Sequence, residues 1–517
     1  MSVRMRNGTI ISGDAPHLWS RWIYLRILGL LYVTAFLSLS SEIVGLVGPS
    51  GLFPAGTYLS SLAARIAGDS SRLLAAPTIA WLGSGAWALQ CYCWVGVAAA
   101  VLVVVNRVPR LALVVCWVCY LSLLTIAPQF SWYASDNLLL EGTVLAVFAA
   151  PAGFRPGLGS RSPFSAGMLF LYQWLLFRLM LETGMSKVLS SDPMWRSLST
   201  MDFFFETSPF PTWIAWFAEK LPQAVHQLFT AYVLFVEVGC SVLLFLGSRL
   251  RRFALVAWTV MHVGILLTAN FNTFNYHSIA LAILLAGDDD LRRVLPLRSA
   301  ARIDGERLPE RRWRKRAARG FLFFLFAVSS LAMLKFFEAP IPPVLSTLLR
   351  ETGAFRSANS YQLYPVIPRQ RRVIVFEGSN DGGKTWLPYE YRFQTQQPDV
   401  RPRFFAPFSP RFDREASRSV ELDPVPPYTK VPYVLRTARA LLDGEPSVLA
   451  LFAADPFSAS RPDMIRTVLY RYRFTDGQTL RQTGEWWSRE ALGPYSPAIV
   501  RDPISHEVRY VGADEHP

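Results

Sequence analysis

Charge is scarce in this chain. Asp, Glu, Lys and Arg make up 17% of its 517 residues, against about 25% in ordinary soluble domains, which argues against a wholly soluble protein. Cysteine is scarce too: there are five, and none follows Cys240. Whatever folds in residues 338–517 does so without a disulfide framework. No small-residue cleavage site follows the first apolar run, which therefore reads as a retained helix rather than a removed signal peptide. Acidic residues are too few to balance the basic ones, leaving a net charge of +14. No RNA- or DNA-binding pattern accompanies that excess, so nucleic acid is set aside as a partner. The single Asn-X-Ser/Thr sequon is Asn7-Gly8-Thr9.

What the chain has in abundance is apolar sequence. It is 51% hydrophobic and 14% aromatic, with a mean hydropathy of +0.25. Apolar runs of spanning length, about 17–25 residues for a helix, begin near Trp22, Trp81, Leu111, Gln173, His226 and Phe253. Shorter ones begin near Leu138 and Tyr276, and a last covers Gly320–Phe337. The expected fold is a polytopic α-helical membrane domain with roughly nine transmembrane helices over residues 1–337. Lys and Arg set the orientation. With the N-terminus cytoplasmic, Arg4, Arg6, Arg107/Arg110, Arg155/Arg161, Arg249/Arg251/Arg252 and the Arg292–Arg319 segment all fall inside. The opposite loops hold few positive charges.

After Phe337 the composition changes. Long apolar runs give way to Pro, Arg and alternating patterns such as Val373-Ile374-Val375-Phe376 and Tyr389–Phe393, which read as strands. Val434–Phe452 reads as helical. Residues 338–517 are therefore expected to form an exported, β-rich soluble domain large enough for its own core. The Arg-rich composition and cysteine-free exported part fit a bacterial inner membrane; an endoplasmic-reticulum membrane is the alternative.

Chemistry concentrates between Tyr172 and Glu206. An apolar helix carries Arg178 and Glu182, with Lys187 where it surfaces. An ionised side chain at mid-bilayer costs about 2.5–3.5 kcal/mol on insertion scales, so such residues pair, line a cavity or do chemistry. Arg178 and Glu182 are one helical turn apart and can neutralise each other. Glu141, one turn inside the helix that Asp136 and Asn137 can cap, needs Arg178 or a polar cavity. Lys187 either snorkels to the interface or acts as a base in a partly desolvated site. His262 and His277 flank the loop Asn270–Asn275 and either relay protons or bond a neighbouring helix. Cys116 and Cys119 share a helix face but read first as small hydrophobes, and no metal site is expected. Ser379-Asn380-Asp381-Gly382-Gly383-Lys384-Thr385-Trp386 reads as a structural hairpin turn.

These strings also carry a resemblance. Phe177-Arg178-Leu179-Met180, Thr183–Trp195, Phe205–Pro211, Asn137–Glu141 and Thr268–Asn275 resemble the lipase maturation factor family. So do Phe376–Gly382, Ala406–Asp413, Leu469–Thr475 and Trp486–Arg489. The resemblance implies a membrane-bound folding factor for exported lipases or related hydrolases, with such a hydrolase and membrane lipid as partners and no cofactor. Phe404, Phe405, Trp486 and Trp487 are the client-binding candidates. A tryptophan-rich helix that follows the Arg-Leu-Asp motif in the family is replaced here by Arg414–Arg418 and a Pro-rich stretch, Asp423–Pro427. The membrane half is similar in turn to the vitamin-K-dependent γ-glutamyl carboxylase, with Lys187 on the position of its catalytic base and Ser186 where that enzyme has a first lysine. That likeness implies the alternative: a quinol-linked carboxylase or oxidoreductase with Lys187 as base and Glu141, Arg178, Glu182 and His262 around it.

Overall fold

Every apolar run read from the sequence is helical in the computed structural model, which describes residues 17–66, 68–162, 164–296, 312–458, 460–502 and 507–511. Arg4, Arg6, the Asn7 sequon and part of the basic Arg292–Arg319 segment lie outside the described residues. The helices formed by these runs are α1 (Leu18–Val47), α2 (Ala86–Val104), α3 (Pro109–Thr125), α4 (Ala134–Ala149), α5 (Ala166–Val188), α6 (Gln223–Leu243), α7 (Ser248–Thr268), α8 (Phe274–Ala286) and α9 (Arg312–Phe336). Among the described residues five helices, α1, α2, α6, α7 and the Arg316–Phe336 part of α9, are long and apolar enough to cross a membrane. α3 and α8 are apolar but shorter, α4 has 16 residues, and α5 is long but carries Arg178, Glu182 and Lys187.

Small residues let these helices approach. A Cβ on Gly96 would fall 2.3 Å from the Phe36 ring, so α1 and α2 pack with that ring over bare backbone. Tyr24, Tyr32, Phe36 and Tyr120 continue the contact as a buried column in which Tyr32 stacks on Phe36 and both meet Tyr120 edge-on.

The C-terminal part holds a five-stranded antiparallel sheet in the order β2-β1-β5-β6-β7. Its strands are β1 (Arg371–Ser379), β2 (Leu387–Pro388), β5 (Met464–Phe474), β6 (Trp487–Arg501) and β7 (Val508–Val511); β3 (Glu390–Tyr391) pairs separately with β4 (Phe452–Ala454). β1 is buried along its whole length, because helices cover the sheet where it is most apolar. The run 389–393 is thus extended over only two residues. The expected helix over 434–452 breaks into α12 (Pro432–Asp443) and a short turn of helix at Pro446–Leu449, since Gly444 takes a left-handed conformation (φ 65). Between α9 and the sheet lie α10 (Pro343–Gly353) and an extended segment, and α11 (Arg411–Arg418) packs on β1.

The two parts share one continuous buried core. Arg411 on α11 donates from Nη1 and Nη2 to the two Asp136 carboxylate oxygens, each at 2.8 Å, and the Tyr120 hydroxyl donates to Asp136 at 2.6 Å. Asp136 therefore holds the two parts together instead of capping α4, whose N-terminus has no side-chain cap. Arg356 donates to the Ser131 carbonyl at 2.7 Å, and Arg371 to the Ser208 carbonyl at 2.7 Å.

Candidate functional site

Glu141 on α4 and Arg178 on α5 form a buried ion pair. Of the two partners open to Arg178, it takes the one on the neighbouring helix and not Glu182 on its own. The reason lies in the segment after α10. Asn359 reaches Glu141 Oε2 from its backbone N–H at 2.9 Å and its side-chain amide at 3.0 Å, and the Tyr361 hydroxyl donates to the same oxygen at 2.8 Å. The Tyr361 backbone N–H donates to Glu182 at 2.7 Å, and Arg178 donates to the Asn359 carbonyl at 2.7 Å. A segment from the C-terminal part thus supplies polar contacts to charges that the helices alone would leave with fewer partners. In a low-dielectric interior, pairing a buried ion requires such additional donors.

Lys187 is buried and does not snorkel. Its ammonium lies 2.6 Å from Glu237 Oε2, 3.3 Å from the Thr183 carbonyl and 5.2 Å from the centre of the Trp195 ring. Glu237 is the partner of Lys187 that the sequence reading leaves out. The available signal is a lone acid inside an apolar span, Phe235-Val236-Glu237-Val238-Gly239. That stretch of α6 is one turn of π-helix, a distortion often found at functional sites. Gly184 makes the approach feasible: a Cβ there would lie 2.6 Å from Val238 Cγ2 and 2.9 Å from Glu237 Cβ.

The Lys187–Glu237 pair forms part of the wall of a cavity of about 620 Å³, within the span of about 300–1,000 Å³ that holds small-molecule ligands. Aromatic rings dominate its lining, among them Trp132, Trp195, Trp258, Phe271 and Tyr364. Tyr364 is held in the left-handed region (φ 52), with Trp195 Nε1 donating to its carbonyl at 3.0 Å. The segment 360–366 and residues Arg414, Glu421 and Leu422 close the cavity from the C-terminal side. His262 lines it and bonds through Nδ1 to Asn275 Oδ1 at 2.9 Å. Glu141, Arg178 and Glu182 are not among its lining residues. The structure therefore separates the five proposed reactive residues into two clusters, one at Glu141–Arg178–Glu182 and one at Lys187–His262. His277 belongs to neither: its Nε2 lies 3.1 Å from the Tyr24 hydroxyl, over Gly142.

The aromatic candidates divide as well. Trp487 is fully buried, stacked on Phe474 with Arg371 over its face, so it is core and not surface. Trp486 meets Trp216 edge-on, and Phe405 packs on Phe210. Asn270 fixes that segment by accepting from the Phe405 and Ala406 amides at 2.9 and 3.0 Å while donating to the Arg403 carbonyl at 2.9 Å. Phe404 is left 47% exposed beside Trp213. The five cysteines are free, and Cys116 and Cys119 are buried. Among the described residues no cluster of three metal-ligating side chains occurs. Asp381 forms the expected turn, accepting from the Lys384 and Thr385 amides at 2.9 Å; these bonds, the one from Thr385 foremost, hold its carboxyl down at about 2.

Two family models match this chain. The model described as lipase maturation factor transmembrane domain matches residues 19–293, and that of the lipase maturation factor C-terminal domain matches 357–497. The chain belongs to the lipase maturation factor family. Lipase maturation factor 1 of Bos taurus is 27% identical over 97% of this chain and 91% of its own length. Lipase maturation factor 2 of Gallus gallus is 26% identical over 95% of this chain and 83% of its own. No solved structure matches. The segment that donates to Glu141 and Glu182, from Asn359 to Tyr361, lies within the C-terminal family region, so in this chain the two matched regions meet through these polar contacts. Nothing in these matches supports the quinol-linked alternative.

Proposed function

We propose that this chain is a membrane-bound maturation factor for exported lipases or related hydrolases. All of the roughly nine apolar segments cross a bacterial inner membrane, the N-terminus is cytoplasmic, and residues 338–517 form the exported domain that meets the client. The observation that carries the reading is the ordered match of both halves to lipase maturation factors over almost the full length of relatives such as the Bos taurus protein. The placement of charge supports the topology. Arg21 donates to carbonyls of the 149–162 segment and Arg26 to Val103, at one end of the bundle. The C-terminal part touches the opposite end, at Ser38, Ser131, Asp136, Ser208 and Asn270. The exposed Phe404, with the partly exposed Phe405 and Trp486, is the contact surface proposed for a partly folded client.

The test is truncation after Phe337 in the native host, with secreted lipase activity measured against lipase protein. Inactive, aggregated lipase at near-normal synthesis is the expected outcome. Unchanged specific activity of every exported lipase would overturn the reading.

A further inference from the structure

The cavity beside Lys187 has a polar complement that its own walls do not use up. Its four charged lining residues cancel in pairs: Lys187 with Glu237 at 2.6 Å, and Arg414 with Glu421 at 2.8 Å. A ligand with net charge would enter a low-dielectric space without a counter-ion, which is costly. Three uncharged groups in the wall are differently placed. His262 uses Nδ1 on Asn275, but its Nε2 has no partner; the Asn275 amide nitrogen has none; and neither has the Tyr133 hydroxyl. His262 and Asn275 are each 2% exposed. Whichever way the Asn275 amide is turned, the pair leaves at least one donor and one acceptor over, because its mutual bond consumes only one of each. Buried groups of this kind normally find partners. Around them the wall is aromatic and aliphatic, and Trp132, Val366 and Leu422 are exposed at its rim.

We propose that this cavity binds an uncharged amphiphile with a hydroxyl-bearing head, of the monoacylglycerol class. Hydroxyls of the glycerol head both donate and accept, and so meet the His262–Asn275 pair and Tyr133. The ester carbonyl adds an acceptor for the amide, and the acyl chain takes the apolar wall. The charged wall residues already pair with each other, so fatty acid anions, and phospholipid heads whose separate ionic groups would each lose water, are discriminated against. The proposal is independent of the maturation reading, since it concerns occupancy of the cavity and not any client.

The experiment uses the full-length protein in phosphatidylcholine nanodiscs and radiolabelled monooleoylglycerol. Saturable binding at one site per chain is expected, with His262→Phe and Asn275→Leu each weakening it by about tenfold, the loss of a buried hydrogen bond. Tyr133→Phe should weaken it less. Methyl oleate, which only accepts, and oleate at pH 8, which is charged, should compete at least tenfold more weakly than unlabelled monooleoylglycerol. Thermal unfolding identifies any variant that fails to fold; His262→Gln, which keeps a side-chain acceptor, then replaces His262→Phe and should retain most of the binding while Asn275→Leu loses it. Absence of saturable binding overturns the proposal, as does equal competition by methyl oleate or unchanged binding in the double variant His262→Phe/Asn275→Leu. Stronger displacement by a prenylated hydroquinone would overturn the glyceride class and assign the head to a quinol.

Discussion

At the scale of single residues, Glu141 and Asp413 show how burial sets the chemistry. Glu141 collects Arg178, two donors of Asn359 and the Tyr361 hydroxyl. Removing the guanidinium alone leaves those donors in place but strands a carboxylate, so Arg178→Met should cost about 3–5 kcal/mol. Adding Glu141→Leu should recover a large part of the loss, whereas adding Glu182→Leu should not, because Glu182 is held by the Tyr361 amide. Thermal unfolding of the three variants in detergent distinguishes the two partners. Asp413 lies in the C-terminal part, fully buried, accepting from the Phe393 and Gln394 amides through one oxygen. Desolvation by burial pushes its carboxyl up to about 6. An acid whose folded value is raised binds a proton more readily when folded, so its contribution is full below about pH 4 and is lost as pH rises to about 6. The loss amounts to about 3 kcal/mol at about 1.4 kcal/mol per unit. Subtracting the stability profile of Asp413→Asn from that of the unmodified protein should leave a decline between pH 4 and 6; a flat difference would refute the assignment.

At the scale of elements, the decisive feature is how closely α5 and α6 approach. Gly184 on α5 faces the π-helical turn of α6, where a Cβ would meet Glu237 and Val238 inside 3 Å. Gly184→Ala should force the pair apart at a cost of about 1–3 kcal/mol and weaken the Lys187–Glu237 contact. Gly167→Ala at the start of the same helix meets nothing within 4 Å and should be neutral or slightly stabilising. Their melting temperatures, compared side by side, check the helix contact without touching a charge. That α5 is a helix was evident from its apolar run; that its three charged residues divide between two clusters was not. Spacing along one helix shows which side chains share a face, and the partner Glu237 comes from a different element.

At the scale of the whole molecule, the C-terminal part is built into the helical part. Arg411 binds Asp136 with both ends of its guanidinium, and Asn359–Tyr361 fill the space above Glu141 and Glu182. Arg411→Met would leave Asp136 buried without its counter-ion and should destabilise the junction by about 3–5 kcal/mol. Faster limited proteolysis between α10 and β1, with the helices intact, is the expected readout. Topology is checked by chemical labelling. A cysteine placed at Asp381 should react with membrane-impermeant reagent from outside, and one at Arg314 should not; labelling of Arg314→Cys in intact cells would exclude the proposed orientation.

Sequence alone determined the features set by local composition. The positions of the apolar helices, the change of character after Phe337, the Asp381 turn and the family resemblance all rest on hydrophobic period, charge bias and short strings. These are properties of contiguous residues. Tertiary structure alone decided that Lys187 is buried against Glu237, that Arg178 chooses Glu141 over Glu182, that Asp136 serves Arg411 and not its own helix end, and that Trp487 is core. It also decided that His262 and Lys187 face one cavity while Glu141 faces the incoming C-terminal segment. The physical reason is the same in each case. A buried charge or ring is stabilised by whichever group three-dimensional packing brings to it, and in a chain of this length those groups come from distant elements.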